Sequence, residues 1–402
     1  MSNMIEEYQS GSDEESHSCD ITPEMETVFT KHFHLDREEA VTLKRNYILH
    51  MSAASIGSET RLGLGLASYD ACVYSLGASL RCTNSLPPEN SPIVNVRFAP
   101  DNESLLYVGY SQGTIKLWDL RDTKQCAQQF KDTTDPKSKN LHEKVFSSFD
   151  VNCEGRFLCA GTEVTDGDAF LLFWDTRQAS LLGGYWECHT DVVTQVKFHP
   201  SEKDHLLSGS TDGLINFYDV SQTEEDEALL QSLNTQSSVD KVQWHEGTNT
   251  TVSCVTHTSD VQLWHLDDSS PFNTFSRTDI ASTLQMNNED VEDSSYVADV
   301  HSTSELDKLF VLAGSNLAKG RCLRSAMVSS GKLSPLSYFD GNKQIVRCSW
   351  FEPQAEILVT GGEAGILSLW KCGKEDTLAN PSQLKATSKL KEKPHKTKVK
   401  PY

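Results

Sequence analysis

Through the middle of the chain, short alternating apolar and polar runs recur between turns, and no segment of comparable length keeps a 3.6-residue period. The clearest copy begins with His189-Thr190-Asp191 and runs through Val193, Val196 and Phe198 to His199-Pro200. A small-residue run, Leu206-Leu207-Ser208-Gly209-Ser210, comes next, then a Thr211-Asp212-Gly213 turn and a strand ending in Tyr218-Asp219. Copies of this order close on Trp118, Trp174, Tyr218, Trp264 and Trp370. Successive spacings are 56, 44, 46 and 106 residues, so the last gap holds one unit without a closing aromatic, around residues 296–323. A degenerate first unit covers residues 61–76, which makes seven. Pairs such as Ile115/Leu117 and Ile215/Phe217 place apolar side chains on one strand face.

Each unit reads as a four-stranded antiparallel sheet that cannot bury its own faces, so neighbours must stack around an axis. Closing such a ring needs an early strand to complete the unit ending at Trp370, and residues 46–50 are the expected one. Gly63 and Gly65 alternate with Leu62, Leu64 and Leu66, which marks close packing rather than a phosphate cradle. The sequence resembles the WD40-repeat family in Ala160-Gly161-Thr162-Glu163, in Phe173-Trp174-Asp175-Thr176-Arg177, and in the segments 189–201, 208–214 and 360–371. Its spacing is near the family's period of about 40–45 residues. The resemblance covers about residues 41–372 and implies an all-β, seven-bladed WD40 β-propeller.

Charge divides the chain into three. Residues 1–40 carry eleven acidic and two basic side chains, residues 371–402 carry nine lysines and three acids, and residues 41–370 carry a net −18. The expected domains are an acidic disordered tail (1–40), the propeller (41–372) and a Lys-rich disordered tail (373–402). An overall charge of −21 argues against a general nucleic-acid binder, leaving the lysine tail as the one place for such contact. The acidic N-terminal segment does not read as a secretory signal, and no apolar run approaches the roughly 18 residues of a membrane span. Eleven scattered cysteines without a Cys-x-x-Cys fit a reducing compartment, so the expected location is cytoplasmic, nuclear or both.

Candidate chemistry is sparse. The resemblance implies a structural hydrogen-bond network of His189, Ser210, Asp212 and the aromatic position, filled here by Tyr218 where the family prefers Trp. A Ser-His-Asp set also suggests hydrolysis, but no nucleophile elbow accompanies it, so no catalytic residue is assigned. Trp118-Asp119-Leu120-Arg121 and Trp174-Asp175-Thr176-Arg177 resemble the motif with which some WD40 proteins dock on the damaged-DNA-binding adaptor of cullin-4 ubiquitin ligases. In that reading Asp119, Arg121, Asp175 and Arg177 form the docking set. His32-Phe33-His34 and the pair His17 and Cys19 are read as solvated, because a structural zinc site needs four organised ligands. Ser10 and Ser12, ahead of Asp13-Glu14-Glu15, suit an acidophilic kinase. A long insertion at 267–295, acidic over 287–293, reads as functional or disordered. No cofactor or metal motif is present in the sequence. The expected function is a non-enzymatic scaffold for protein partners, basic ones among them, without membrane contact. A cullin-4 substrate receptor and a ribosome or ribonucleoprotein assembly factor are the alternatives.

Overall fold

The computed structural model describes residues 27–42, 46–56, 59–134, 144–245, 250–286, 294–305, 308–329 and 331–373. After an opening strand, β1 (Lys31–Ala40), the chain folds as successive four-stranded antiparallel meanders. The first is β2 (Ile48–Ile56), β3 (Glu59–Leu66), β4 (Ala71–Leu76) and β5 (Leu80–Ser85). Next come β6 (Ile93–Ala99), β7 (Asn102–Tyr110), β8 (Thr114–Asp119) and β9 (Gln128–Lys131), then β10 (Phe146–Val151), β11 (Phe157–Thr162), β12 (Ala169–Asp175) and β13 (Ser180–His189). β14 (Val193–Phe198), β15 (His205–Ser210), β16 (Leu214–Asp219) and β17 (Leu229–Asn234) form the fourth. β18 (Val239–Trp244), β19 (Thr251–Thr256), β20 (Val261–His265) and β21 (Asn273–Phe275) form the fifth.

The remaining strands depart from the expectation of separate units. β22 (Ser295–Ser302), β23 (Leu309–Ser315), β24 (Leu323–Ser329), β25 (Lys332–Phe339), β26 (Val346–Glu352), β27 (Ile357–Gly362) and β28 (Ile366–Cys372) join β1 in one eight-stranded sheet. Five sheets therefore stand alone, and the sixth is two four-stranded halves joined through β1. That strand lies antiparallel to β28 on one side and parallel to the start of the β25 pairing, Lys31 opposite Ser337, on the other. The closing strand is thus residues 31–40, not 46–50. The physical reason is local: Phe33 is buried and stacks on Phe339 with centroids 4.9 Å apart, and Leu35 faces Trp370 across the seam. Ile48 belongs instead to the innermost strand of the first sheet, fully buried beside Leu62 and Leu64. The end of the expected acidic tail is accordingly structured, and its histidines are not simply solvated. His32 stacks on Tyr338 at 4.5 Å, and His34 Nδ1 lies 3.2 Å from Gly373 O.

One irregularity repeats around the axis. Each of β2, β6, β10, β14, β18, β22 and β26 carries a register shift near its start, from Ile48/His50 to Val346/Cys348. A bulge of this kind bends a strand and increases its twist. Glycine stands opposite it in five sheets, at Gly65, Gly109, Gly161, Gly209 and Gly361. These glycines let the next innermost strand approach: a Cβ on Gly161 would sit 2.5 Å from Val193, and one on Gly361 2.7 Å from Ile48. The second contact joins the last sheet to the first.

The aromatics that end the repeats, Trp118, Trp174, Tyr218, Trp264 and Trp370, all lie buried on third strands. The long insertion holds β21 and a helix, Arg277–Thr283, started by a Ser276/Asp279 capping box. Its Ile280 and Ala281, with Leu284 and Met286 beyond it, pack against Val300, Leu309 and Val311, so this part of the insertion is core. Its acidic stretch 287–293 lies outside the described residues, as do 1–26 and 374–402. Among the described residues no helix is long and apolar enough to cross a membrane.

Candidate functional site

His189, the last residue of β13, is buried with both ring nitrogens occupied: Nδ1 is 2.9 Å from Asp212 Oδ2 and Nε2 is 2.7 Å from Ser208 Oγ. The hydroxyl in this network is therefore Ser208 rather than the expected Ser210. Ser210 ends β15, and its Oγ closes the turn, donating to Asp191 O at 3.0 Å and accepting from the Asp212 amide at 3.1 Å. Burial favours a raised Asp212 carboxyl pKa, but the bond to His189 and the amides of Leu214 and Thr190 outweigh it and hold the group below its ordinary range. Tyr218 Oη accepts from Asn216 Nδ2 at 3.1 Å and also bonds Ser208, so the tyrosine stays joined to His189 through that hydroxyl, while its ring packs on Tyr185. Ser208 is completely buried.

Asp119 and Asp175 end β8 and β12, and Arg121 and Arg177 lie on the turns that follow, on neighbouring sheets. The side-chain amide of Gln128 reaches Arg177 O at 3.4 Å, so the two turns are linked. The arginines differ. Arg121 folds back on Asp119 in a two-pronged pair, with Nε–Oδ1 at 2.9 Å and Nη2–Oδ2 at 2.6 Å, and this pair lowers the carboxyl to about 2. Arg177 donates only its backbone amide to Asp175, at 2.8 Å, and its guanidinium has no partner among the described residues. Arg177 precedes β13 and His189 ends it, so the arginine turns and the histidine network lie on opposite faces, about 30 Å apart along a ten-residue strand.

On the histidine side, near the far end of β13, Trp186 is 40% exposed. It packs edge-on to Phe170 at 5.3 Å, with Lys144 Nζ 5.3 Å from its ring centroid. Val164 is exposed on the turn that precedes β12. The Trp186 and Glu187 amides donate to the Glu225 carboxylate, at 2.6 and 3.1 Å, so an exposed aromatic here has acids beside it, a feature that repeat matching alone did not mark.

The innermost strands enclose a channel of about 630 Å³. Side chains tie each innermost strand to its neighbour across its wall. Ser52 Oγ accepts from the Phe98 amide at 3.1 Å, Asp150 Oδ2 from the Phe198 amide at 2.9 Å, and Gln195 Oε1 from the Val242 amide at 3.0 Å. Asn95 donates to Phe149 O at 2.9 Å, and Lys241 to Ala298 O at 2.5 Å. His301 lies 2.8 Å from Ser349 Oγ, and the Cys348 thiol 3.6 Å from Ile48 O. These polar residues come from strands far apart in sequence. The available signal was the polar pair two residues apart in an otherwise apolar strand, as in Asn95/Arg97, Gln195/Lys197 and Asp299/His301. Among the described residues no three His, Cys, Asp or Glu side chains gather in a metal-holding group. Ser10, Ser12, His17 and Cys19 lie outside the described residues.

Two outcomes follow from these bonds. His189→Ala and Ser208→Ala each destabilise by about 1–3 kcal/mol, and their double variant loses less than the sum, whereas full additivity in urea unfolding contradicts the bond. His245 is buried between Ser253 Oγ at 2.7 Å and Ser302 Oγ at 3.0 Å; burial, then the nearby His301, lowers its pKa from 6.5 to about 3. The unfolded imidazole takes up its proton near pH 6.5 while the folded one stays neutral, so stability is full above pH 6.5 and falls as pH drops toward 3. His245→Gln removes about 1.4 kcal/mol per pH unit from that slope, measured by urea unfolding between pH 6 and pH 4; an unchanged slope contradicts it.

The model of the WD domain, G-beta repeat, matches residues 80–119 and 181–219. These segments end on β8 with Trp118-Asp119 and on β16 with Tyr218-Asp219. An uncharacterised WD repeat-containing protein of Schizosaccharomyces pombe is 25% identical over 65% of the chain and 77% of its own length. The WD repeat-containing protein 89 homolog of Dictyostelium discoideum is 26% identical over 55% of the chain and 59% of its own length. The GATOR2 complex protein WDR24 of Danio rerio is 25% identical over 45% of the chain and 22% of its own length. With these repeats on third strands that end in buried aromatics, the chain is an all-β WD40 β-propeller.

Proposed function

We propose that the chain is a non-enzymatic interaction scaffold on which a multiprotein complex assembles, in the cytoplasm, the nucleus or both. It works as a ring of seven blades, the eight-stranded sheet counting as two that meet at β1. The bulge repeated in seven innermost strands supports that count. One observation carries the functional reading: each sheet is tied to the next by side-chain bonds from inside, so the loops of both faces are held at fixed separations. A surface preorganised in this way binds without an ordering cost. The net −18 of residues 41–370, and the acids around Trp186, favour basic protein partners. The name of the zebrafish relative, a complex protein, accords with such a role.

The Arg177 guanidinium supports a second reading, a substrate receptor docking on the damaged-DNA-binding adaptor of cullin-4 ligases. A planar fork without an internal partner suits bidentate pairing with a carboxylate of another protein, whereas that of Arg121 is already satisfied by Asp119. The assembly-factor alternative rested on the Lys-rich tail, which lies outside the described residues.

Affinity purification of the full chain from cells separates these readings. The scaffold reading expects a reproducible set of basic proteins that is lost on Trp186→Asp, with no change in the melting temperature of the variant. Recovery of the same set with Trp186→Asp contradicts it. The receptor reading expects the adaptor to be recovered with wild type and Arg121→Ala and lost with Arg177→Ala; recovery with Arg177→Ala contradicts it.

A further inference from the structure

The connection from β16 to β17 passes along the outer edge of β13 and is fixed there at two points. Tyr185 Oη donates to Gln222 O at 3.2 Å, and the Glu225 carboxylate accepts from the Trp186 and Glu187 amides. Those amides fall where the β12–β13 register slips, between Ala169 opposite His189 and Leu171 opposite Tyr185, so the carboxylate satisfies donors that a bulge leaves over. Ala228, which ends the single helical turn Glu225–Ala228, is buried in the cluster of Tyr185 and Tyr218.

Between the two fixed points stand Thr223 and Glu224, both exposed, and Asp226 and Glu227 beyond them are exposed as well. The order is Thr223-Glu224-Glu225-Asp226-Glu227, a hydroxyl followed by four carboxylates. Among the described residues the Thr223 hydroxyl has no hydrogen bond, and Glu224, Asp226 and Glu227 make no ion pair. Several other hydroxyls have an acid three residues on, but the fold has spent them. Ser276 Oγ donates to Asp279 at 2.6 Å, Ser302 Oγ lies 3.0 Å from His245 Nδ1, and Ser349 Oγ lies 2.8 Å from His301 Nε2. Thr360 is buried and accepts from Trp370 Nε1 at 2.9 Å. Thr223 is both reachable and uncommitted.

We infer that Thr223 is a phosphorylation site for an acidophilic protein kinase. Glu224, Asp226 and Glu227, free of internal partners, pair with basic side chains of the kinase, while Gln222 and Glu225 anchor the segment on the surface. Thr223 Oγ1 attacks the γ-phosphorus of magnesium-bound ATP. The bond from that phosphorus to the oxygen bridging to the β-phosphate breaks, ADP leaves, and the hydroxyl proton passes to the kinase's catalytic aspartate. The product carries about 1.5 to 2 further negative charges two residues from Glu225, on the connection that lies along the Trp186 edge. The inference goes beyond the scaffold reading and stands without it, since it concerns a modification and not a bound partner.

The test uses the full chain with Ser10→Ala and Ser12→Ala, so that the N-terminal serines do not compete. One sample is treated with casein kinase II and magnesium ATP, a second is isolated from cells with phosphatases inhibited, and phosphopeptides of both are mapped by mass spectrometry. Both carry phosphate on Thr223, and Thr223→Ala removes it without a change in Tm. Asp226→Asn, also at an exposed position, keeps the Tm and lowers kcat/KM for Thr223 about tenfold or more, the size of a lost bond between charged groups. Absence of phosphate on Thr223 from either sample, phosphate on Ser221 in its place, or an unchanged kcat/KM in Asp226→Asn overturns the inference.

Discussion

Sheets that bury their faces only against each other must form a closed ring, and in this chain closure falls to one strand. β1 pairs with β28 over residues 33–40 and with β25 over residues 31–33, so it holds both the seam of the ring and the joint between two units of the eight-stranded sheet. Without it, the edges of β25 and β28 would both lie open, with backbone groups ready to pair with another chain. The seam is apolar at its centre, where Phe33, Phe339 and Trp370 meet, and charged at its rim, where Lys31 reaches Glu356 and Lys343 reaches Glu38. Arg37 extends the tie to the first sheet by donating to Gly77 O at 2.9 Å.

Closure makes the interior possible. Once the innermost strands are held in a ring, their polar side chains face one another across a narrow space and can bond to adjacent strands instead of water. The buried His245 imidazole is then kept neutral by enclosure, His301 is shifted in the same direction, and both become part of the wall. The faces are left to turns and loops, which carry the chemistry available to partners, among them the Arg177 guanidinium on one side and the exposed Trp186 on the other.

The repeat was legible because its strongest signals are local. Trp118, Trp174, Trp264 and Trp370 each follow an apolar residue near the end of a third strand, and all four are buried. β1 was not legible, since Phe33 and Leu35 sit among Lys, His, Asp, Arg and Glu, and the partners that bury them lie some three hundred residues away. Ser208 and Ser210 lie two residues apart on one strand face, and only the position of the turn decides which one meets His189. Likewise, nothing in the sequence separates Arg121 from Arg177; their difference is that Asp119 captures one fork and Asp175 does not. The channel was hidden for a different reason. No single strand reveals that Arg97, Asp150, Lys197, Lys241 and Asp299 share one space until the ring brings them together.

Amide hydrogen exchange across residues 31–40 of the intact chain is the most direct test of this account, because only a paired strand protects those amides. The account predicts protection in residues 33–40 comparable to that of residues 366–372, lost together with it when Phe33→Asp breaks the seam. Exchange of residues 31–40 at the rate of an unstructured peptide, while residues 366–372 remain protected, would contradict closure of the ring by β1.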